Sequence, residues 1–419
     1  PELRKQNTAR RREGRGKLPA HLPRIEQVLL PESTACPCCR GAMVEIGCDT
    51  ADRLDVIPVQ YRVLVTRRPK FACRACPGVV VQAPAPARLI AGGMPTEAAI
   101  AQVAVARYAD HMPLYRQAQA MARQGLEIGR DVLAGWMGAA AFAIRPVVAR
   151  MHELLRGSAR LFADETTMPV LDPGRGKTKK GFAWAIARDD RPWGGTDPPA
   201  VVFHYAPGRG GEHARDLLSG YAGLLQCDGY AAYKSLAAPK EGQAGATLVY
   251  CWAHVRREFY DLAKKKTAPI AEGVLRRIAA LYAIEETIRG KPPEIRLAAR
   301  QARSKPIVTE LFAWLEEQLA RVPGGSPTAQ AIRYALNHRD GLERFLQDGR
   351  AEIDSNTVER AIRPVVLSRK NALFASGDDG GERWADMASL IETCKLNDVN
   401  PQRYLTDVLT KLANGWPQS

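Results

Sequence analysis

The sequence contains no uninterrupted apolar run of the roughly 18–20 residues that a membrane-spanning helix needs. No apolar segment of a secretory signal peptide follows the polar start at Pro1. These two absences predict an intracellular, cytoplasmic protein that binds no membrane. The sequence also lacks an initial Met, and we therefore expect a fragment or a processed product.

Acidic residues are scarce relative to basic ones, with 45 Asp and Glu against 60 Lys and Arg in 419 residues. The formal net charge of +15 favours a polyanionic partner, above all nucleic acid, over a basic surface without a partner. Apolar residues make up 46% of the chain, which is enough for a core and argues against a mostly disordered protein. At roughly 100–200 residues per domain, the length predicts about two to four domains.

The nine cysteines are an odd number, and six of them lie between residues 31 and 86. Cys36 with Cys39 and Cys73 with Cys76 form two C-x2-C pairs, whose four thiolates can surround Zn²⁺ as a tetrahedron. We predict a structural zinc site that leaves no position for a catalytic water. The alternatives are that Cys38 replaces a neighbour as ligand, or that the thiols are buried without a metal.

Three helices with apolar faces are predicted over residues 95–145. Pro95, Thr96 and Glu97 suit a helix start, and Gly125 separates the second helix from the third. The second helix, the turn and the third helix have the spacing of a DNA-binding helix-turn-helix. A plain helical bundle without a nucleic-acid role accounts for the same pattern.

Strand and helix patterns alternate over residues 158–262, in the order strand, strand, strand, helix, strand, helix, strand, helix. This order predicts an α/β arrangement with one mixed sheet. Residues 263–347 are rich in Ala, Leu, Glu and Arg and are predicted to be almost wholly helical. Further helices around a Gly-rich loop are predicted over residues 352–415.

Three acidic residues lie where these predicted elements can converge. Asp164 is in the middle of an apolar strand, where burial of an unpaired charge is costly. Asp228 ends a short apolar strand, and Glu359 lies on a late helix. Together they can hold two divalent metal ions for phosphoryl transfer. Taken singly, each has an ordinary explanation such as a turn, a cap or, for Glu359, an ion pair with Arg363. The acids that compete for the same role are Glu165, Asp172, Glu352 and Asp354.

Several of these motifs together carry a family resemblance. The segments LFADETTMPVL, LLQCDGYAAY, CWAHVRREF and IDSNTVERAIRPVVLSRKNALFASGDDGGERWA resemble the insertion sequence 66 family of bacterial DDE transposases. The segments ACPCCRGAM and KFACRAC, and the segment ARYADHMPLYRQ, are similar to the zinc-binding and helix-turn-helix parts of that family. The resemblance covers the chain from about Leu22 to Tyr404, in the family's order.

The resemblance implies a multidomain α/β fold. Its catalytic domain is expected to be RNase H-like, with a mixed five-stranded sheet and a helical insertion, preceded by a zinc-ribbon-like module and a helix-turn-helix. By resemblance the catalytic acids are Asp164 in ADET, Asp228 in CDGY and Glu359 in N-x-x-E-R. The expected regions are a basic flexible arm (1–30), the zinc-binding module (31–88), the helix-turn-helix region (89–157), the first part of the catalytic core (158–262), the helical insertion (263–347) and the last part of the core (348–419).

The activity implied by the resemblance is cleavage of a DNA strand and transfer of its 3′-end, with two Mg²⁺ or Mn²⁺ ions at the acids and a structural Zn²⁺. The implied partners are element ends and target DNA, further copies of the chain and accessory proteins of the same element, in a nucleoid-associated bacterial setting. Two alternatives stay open. One is a catalytically silent DNA-binding protein derived from a transposase, and the other is an RNase H-like nuclease that cleaves without joining.

Basic residues near the acids are candidate DNA contacts. A loop with four cations joins the first two strands of the core and is either a phosphate-binding loop or a solvated hairpin tip. The helix of Glu359 and its extension carry four more cations. His254 belongs to a C-x2-H motif similar to one in other DDE transposases, and it contacts DNA, supports the acids or is a core histidine. The predicted DNA-binding residues are Arg175, Lys177, Lys179, Lys180, His254, Arg360, Arg363, Arg369 and Lys370.

Three further side chains are assigned structural roles. Ser355 precedes the helix that carries Glu359, and we expect its hydroxyl to cap that helix. Trp184 and Trp384 are expected to lie in the core rather than to stack on DNA bases.

Overall fold

The computed structural model describes residues 22–29, 33–51, 53–54, 59–73, 80–237, 245–265 and 268–416. The chain divides into two compact units, Pro1–Ala85 and Pro86–Ser419. Of the basic arm predicted over residues 1–30, all but residues 22–29 lies outside the described part of the chain.

The first unit has little regular structure in its described residues. Strand β1 (Lys70–Ala72) pairs with β2 (Val80–Gln82) in an antiparallel ladder. A tight turn holds the first cysteine pair, since Arg40 N–H donates to Cys36 O and Cys36 N–H donates to Gly41 O, both at 2.8 Å. This turn gives the paired cysteines of the zinc motif a defined backbone.

A mixed sheet of five strands forms the centre of the second unit and confirms the predicted α/β sheet. Three strands pair antiparallel, β3 (Arg160–Asp172), β4 (Lys177–Arg188) and β5 (Ala200–Ala206). The short strands β6 (Leu224–Cys227) and β7 (Thr247–Tyr250) run parallel to β3. The strand order is β5-β4-β3-β6-β7. Because β6 pairs with only the first three residues of β3, no other strand among the described residues pairs with the rest of that edge of β3.

The sheet is buried because its strands carry nearly continuous apolar segments. Phe162 on β3, Trp184 on β4 and Phe203 on β5 are almost inaccessible to solvent. Continuous apolar strands are typical of a sheet whose two faces are both covered. Trp184 therefore lies in the core as predicted, and Trp384 does so too.

In the described part of the chain, three helices precede the sheet: α1 (Glu97–Tyr108), α2 (Leu114–Ala122) and α3 (Arg130–Arg156). The hydroxyl of Thr96 caps α1 by accepting a hydrogen bond from Ala99 N–H at 3.3 Å. All three helices contribute to the same hydrophobic cluster as the sheet. They are thus packed into the second unit and do not form a separate body.

Among the described helices, α3 is the one long and apolar enough to cross a membrane by length and composition. Its side chains Leu133, Met137 and Ile144 follow one face and join the core of the unit. Arg145 forms ion pairs with Glu382 at 2.9 Å and Asp386 at 3.3 Å. These contacts are those of a core helix in a globular unit.

Helices occupy most of the chain between the sheet and the late catalytic segment. Two short helices, α4 (Gly211–Leu217) and α5 (Ala231–Ala237), flank β6, and α6 (Trp252–Lys265) follows β7. A second hydrophobic cluster includes side chains of α6 and of the helices that follow it. Those helices are α7 (Pro269–Ile288), α9 (Lys305–Arg321), α10 (Pro327–Asn337) and α11 (Arg339–Glu343), while the short helix α8 (Pro293–Ala299) lies between α7 and α9 without joining this cluster.

A buried network of charges ties this helical region to the sheet. Arg160 of β3 and Arg296 of α8 are both buried, and they donate to Glu352 at 3.3 and 2.7 Å. Arg300 forms two hydrogen bonds of 2.7 Å with Glu285 of α7. Because buried charges are stable only when they are paired and hydrogen-bonded, the network fixes the helical region against β3.

Three helices complete the chain: α12 (Asn356–Ala372), α13 (Asp378–Leu396) and α14 (Pro401–Ala413). Helix α13 packs on β5, where the hydroxyl of Ser389 accepts a hydrogen bond from Phe203 N–H at 2.8 Å. Helix α12 packs on β3 and β4. The fold therefore brings the first residues of the core and the last helices together.

Candidate active site

Asp164 and Asp228 lie just beyond the end of the ladder between β3 and β6, close enough for their charges to repel. In the ladder between β3 and β6, Phe162 pairs with Gln226. Extending this register by two residues places Asp164 next to Asp228, which follows the last residue of β6. Adjacent strands lie about 4.8 Å apart, so acids far apart in sequence meet at one point of the sheet.

Burial and neighbouring acids perturb the carboxyl group of Asp164. The pKa of Asp164 is raised from its ordinary value to about 7, first by burial and then by repulsion from Glu165, Asp228 and Glu359. A hydrogen bond of 2.8 Å from Glu165 N–H to Asp164 Oδ1 acts in the opposite direction. Because Asp228 and Glu359 both act on Asp164, the three predicted acids share one electrostatic site.

The turn after β6 holds Asp228 in place. Its Oδ1 accepts a hydrogen bond of 2.8 Å from Tyr230 N–H, which closes an Asx turn. Gly229 has a φ of 86°, and a Cβ at that position would lie 2.6 Å from the ring of His338. The hydroxyl of Tyr334 donates to Asp228 O at 3.3 Å. The helical region therefore contacts the turn that carries the second acid.

Glu359 lies in the first turn of α12, and the prediction that Ser355 caps this helix is wrong. Ser355 has φ −102° and ψ 20°, outside the extended conformation of an N-cap residue, and its side chain makes no capping bond. Asp354 takes the role by accepting from Asn356 N–H at 3.1 Å and Nδ2 at 2.7 Å. Tyr282 of α7 also donates to Asp354 at 2.9 Å.

The carboxylate of Glu359 faces a histidine, an arginine and a cysteine. His254 Nε2 lies 3.9 Å from Glu359 Oε1, and Arg257 Nη2 lies 3.9 Å from Glu359 Oε2. Ligand atoms of Cys251, His254 and Glu359 all lie within 4.8 Å of one another. Burial raises the pKa of the Cys251 thiol to about 11. The structure thus places His254, predicted from sequence as a DNA contact, beside the third acid.

The three acids match hard divalent cations in donor type. Carboxylate oxygens are the ligands that Mg²⁺ and Mn²⁺ prefer in proteins. A cation would reduce the repulsion between Asp164 and its neighbouring acids. It would also give a partner to the buried Glu359 Oε1, which has no hydrogen-bond partner among the described residues. In the described part of the chain, the acids do not form a set whose ligand oxygens all lie within 4.8 Å. Glu359 is instead grouped with Cys251 and His254.

Sequence reasoning missed the side chains that surround the first two acids. Glu165, considered only as a competing acid, is buried and accepts hydrogen bonds from Arg209 Nε at 2.8 Å and from the Tyr233 hydroxyl at 2.7 Å. The Arg209 guanidinium carbon lies 3.9 Å from the centre of the Tyr230 ring. The one sequence signal for Arg209 is its position in the glycine-rich segment PGRGG after β5.

The other competing acids have structural partners. Asp172 lies 3.5 Å from Arg175 in an ion pair at the tip of the β3–β4 hairpin. Glu352 belongs to the buried network with Arg160, and Asp354 caps α12. Of the competing acids, Glu165 therefore stays in the same group as Asp164, Asp228 and Glu359, since its charge also raises the pKa of Asp164.

The four cations of the β3–β4 hairpin differ in exposure. Arg175, Lys177 and Lys180 are exposed. Lys179 forms an ion pair of 2.7 Å with Asp378 at the start of α13. Three of the four side chains are therefore accessible to a phosphate backbone.

The basic residues of α12 divide in the same way. Arg360, Arg363 and Lys370 are exposed. Arg369 donates to Thr167 O at 2.6 Å and also to the Thr167 hydroxyl. Arg369 thus ties α12 to the strand that carries Asp164.

The predicted zinc ligands lie in the first unit. Hydrogen bonds from the backbone of Cys39 and then of Cys38 lower the pKa of the Cys36 thiol. Lowering the pKa favours the thiolate, which is the form that binds metal. Cys73 is exposed just after β1, and Cys76 lies outside the described residues.

Three family descriptions match the chain in sequence order. The zinc-finger binding domain of transposase IS66 matches residues 33–77. The description "Transposase IS66 family" matches residues 92–383, and the IS66 C-terminal element matches residues 389–419. The four predicted zinc ligands lie within the first match, and the three predicted catalytic acids lie within the second.

Proteins of Sinorhizobium fredii are similar over nearly the whole chain. "Uncharacterized protein y4qI" is 48% identical over 404 residues, which are 96% of this chain and 74% of that protein. "Uncharacterized protein y4jD" is 44% identical over 402 residues, covering 96% of this chain and 79% of that protein. Because the main family match, residues 92–383, spans well over half of the chain, this protein belongs to the IS66 family of transposases, with the family's zinc-finger domain at residues 33–77.

Proposed function

We propose that this transposase cleaves a DNA strand at the ends of its insertion sequence and transfers the 3′-end to target DNA, with Asp164, Asp228 and Glu359 as the catalytic acids. The observation that carries the proposal is that Asp164 on β3 is buried near Asp228, at the end of β6, and Glu359, on α12. Burial first, and then repulsion from Glu165, Asp228 and Glu359, raises the pKa of Asp164. Acids grouped in this way are typical of metal-dependent phosphoryl transfer. The strand order β5-β4-β3-β6-β7 supports an RNase H-like core.

The chemistry is two in-line displacements at phosphorus. Water attacks the element end and breaks the bond between phosphorus and the 3′-oxygen, and the freed 3′-hydroxyl then attacks a target phosphodiester and displaces a target 3′-hydroxyl. When bound, two Mg²⁺ or Mn²⁺ ions supply Lewis acidity and activate the attacking oxygen. The three acids would hold these ions, while Arg209 and Arg257, both partly exposed, place positive charge near the phosphate.

Recognition of DNA is assigned to parts of the chain outside the acids. The zinc-finger unit and the α2–α3 segment, as a helix-turn-helix, would bind the element ends. The exposed cations of the β3–β4 hairpin and of α12 would contact phosphates without reading sequence. We further propose that the protein acts in the cytoplasm at the nucleoid, as an oligomer on paired ends and with accessory proteins of the element.

The test is strand cleavage and joining on labelled element-end DNA with Mg²⁺ or Mn²⁺. Asp228→Asn keeps the side-chain oxygen that accepts from Tyr230 N–H but removes the charge, and we expect a rate loss of about 10³-fold or more. The matched control is Asp407→Asn, which removes an exposed carboxylate paired with Lys411 on α14 and should keep the wild-type rate.

The outcomes separate the competing functions. Joining by the wild type and none by Asp228→Asn supports the transposase. Cleavage without joining would instead establish a nuclease on the same fold. Tight binding of element ends with neither reaction would establish a DNA-binding protein derived from a transposase.

A further inference from the structure

Three side chains with metal-binding atoms converge at the carboxyl end of β7. Cys251 follows β7 directly, and His254 lies three residues later in the first turn of α6, so the two side chains share a face. Glu359 reaches the same point from the first turn of α12. One sulfur, one imidazole nitrogen and one carboxylate oxygen lie within 4.8 Å of one another.

The cluster contains polar atoms that the described part of the chain leaves without partners. His254 Nδ1 and Glu359 Oε1 are buried and have no hydrogen-bond partner there. Cys251 is 2% exposed, and its Sγ accepts a hydrogen bond from Ser355 N–H at 3.2 Å. Buried unpaired polar atoms are costly, so a ligand that satisfied them would stabilise the fold.

The types of donor atom in the cluster favour one kind of metal ion. A thiolate, an imidazole and a carboxylate are the ligands of Zn²⁺, whereas Mg²⁺ prefers oxygen ligands throughout. Three protein ligands leave the fourth position of a tetrahedron for water. Arg257 would repel a bound cation, because its Nη2 lies 3.9 Å from Glu359 Oε2. The Arg257 side chain is 59% exposed, however, and can turn into solvent.

We propose that Cys251, His254 and Glu359 form a second zinc site, separate from the cysteine site of the first unit. Zn²⁺ replaces the thiol proton of Cys251, and that proton leaves to solvent. An occupied site withholds Glu359 from Asp164 and Asp228, so zinc inhibits strand cleavage. This inhibition rests on the proposed function, whereas zinc binding at the site does not.

The first test counts zinc ions bound per full-length chain after dialysis against micromolar Zn²⁺. We expect about two ions for the wild type, one in each unit, and about one ion for Cys251→Ser and for His254→Gln. Cys394→Ser removes another buried cysteine, on α13, and should keep the wild-type count. Asp228→Asn should also keep it, even though this variant loses cleavage.

Equal counts in the wild type and in folded His254→Gln would overturn the site. Two variants are used because Cys251→Ser could lose the ion simply by failing to fold. His254 is only partly buried, so His254→Gln is expected to fold even where Cys251→Ser does not. If wild-type protein binds the second ion but never cleaves DNA, the zinc site stands and the proposed function fails. The count therefore distinguishes the two failures.

The second test titrates Zn²⁺ into the Mg²⁺-dependent cleavage reaction, with each protein scaled to its own zinc-free rate. Removing even an outer partner of a zinc ligand weakens binding roughly 10–100-fold. Because His254 is itself a ligand, its removal should raise the zinc concentration that inhibits cleavage by at least about tenfold. An unchanged inhibitory concentration in His254→Gln would show that zinc inhibits elsewhere and would overturn the regulatory role.

Discussion

The two compact units differ most in what surrounds their apolar side chains. In the described part of the first unit no residue is buried, and Val44, Ile46 and Val63 are at least 86% exposed. The second unit buries two apolar clusters, one around the sheet and one among α6 to α11. The first unit therefore has no apolar core in its described residues, whereas the second has two.

Because of this difference, we expect metal ions to have different roles in the two units. A small module without an apolar core needs a metal or disulfides to fold, and the paired cysteines of the first unit suit zinc. The second unit folds by apolar burial and by the network around Arg160, so the metal ions proposed there would serve catalysis and its regulation rather than folding. The comparison is open to test by removing each source of stability in turn.

Removal of zinc from the first unit should have the largest effect. Structural zinc contributes about 10–16 kcal/mol of apparent folding free energy in small zinc modules. A chelator or Cys39→Ser should raise hydrogen exchange over residues 33–73 and leave the helices of the second unit protected. Cys48→Ser is the control and should change neither unit. Full protection in Cys39→Ser would show that the first unit folds without its metal.

Loss of a buried charge in the second unit should have the second-largest effect on stability. Arg300→Met leaves Glu285 without its two hydrogen bonds of 2.7 Å, and breaking a buried pair costs about 3–5 kcal/mol. Arg303→Met, on the same helical segment but exposed, should cost less than about 0.5 kcal/mol. Urea unfolding measures both. A similar small loss in the two variants would mean that the network adds little to the second unit.

Asp164→Asn should stabilise the metal-free protein in a pH-dependent way. Because the pKa of Asp164 is raised to about 7 on folding, wild-type stability is lost as pH rises from about 4 to about 7. The variant has no such loss, so its advantage should be near zero at acid pH and at most about 4 kcal/mol at pH 8. Thermal unfolding against pH measures it. Mg²⁺ should raise the melting temperature of the wild type more than that of the variant, and an advantage that is the same at every pH contradicts the assignment.

Tyr282→Phe should have the smallest effect on stability. It removes one hydrogen bond of 2.9 Å to Asp354, worth about 0.5–1.5 kcal/mol, between the helical region and the cap of α12. Since that cap positions Glu359, we expect a few-fold lower kcat with unchanged KM for DNA. Tyr260→Phe alters an exposed tyrosine on α6 and is the control. A kcat equal to wild type would show that α12 is positioned without this bond.

The sequence carries a signal for the candidate acids but little for the side chains that surround them. Asp164 lies within a largely apolar strand and Asp228 directly follows another, which is a local signal that the sequence carries by itself. The sequence predicts Ser355 as the cap of α12 because serine is a common N-cap, yet the side chain of Asp354, one residue earlier, accepts from both Asn356 N–H and Asn356 Nδ2. Arg209 and Tyr233 could not be predicted, because their hydrogen bonds to Glu165 join segments with no shared local pattern.

By itself, the sequence determined the zinc motif, the mixed sheet and the helical region. These features depend on spacing and periodicity within short segments, which the chain carries in any conformation. Only the tertiary structure decided that Glu359 lies with Cys251 and His254, and that the buried Arg296 and Glu352 bind the helical region to β3. Such contacts join residues far apart in the sequence, and they form because the packing of the two apolar clusters brings the segments that carry them together.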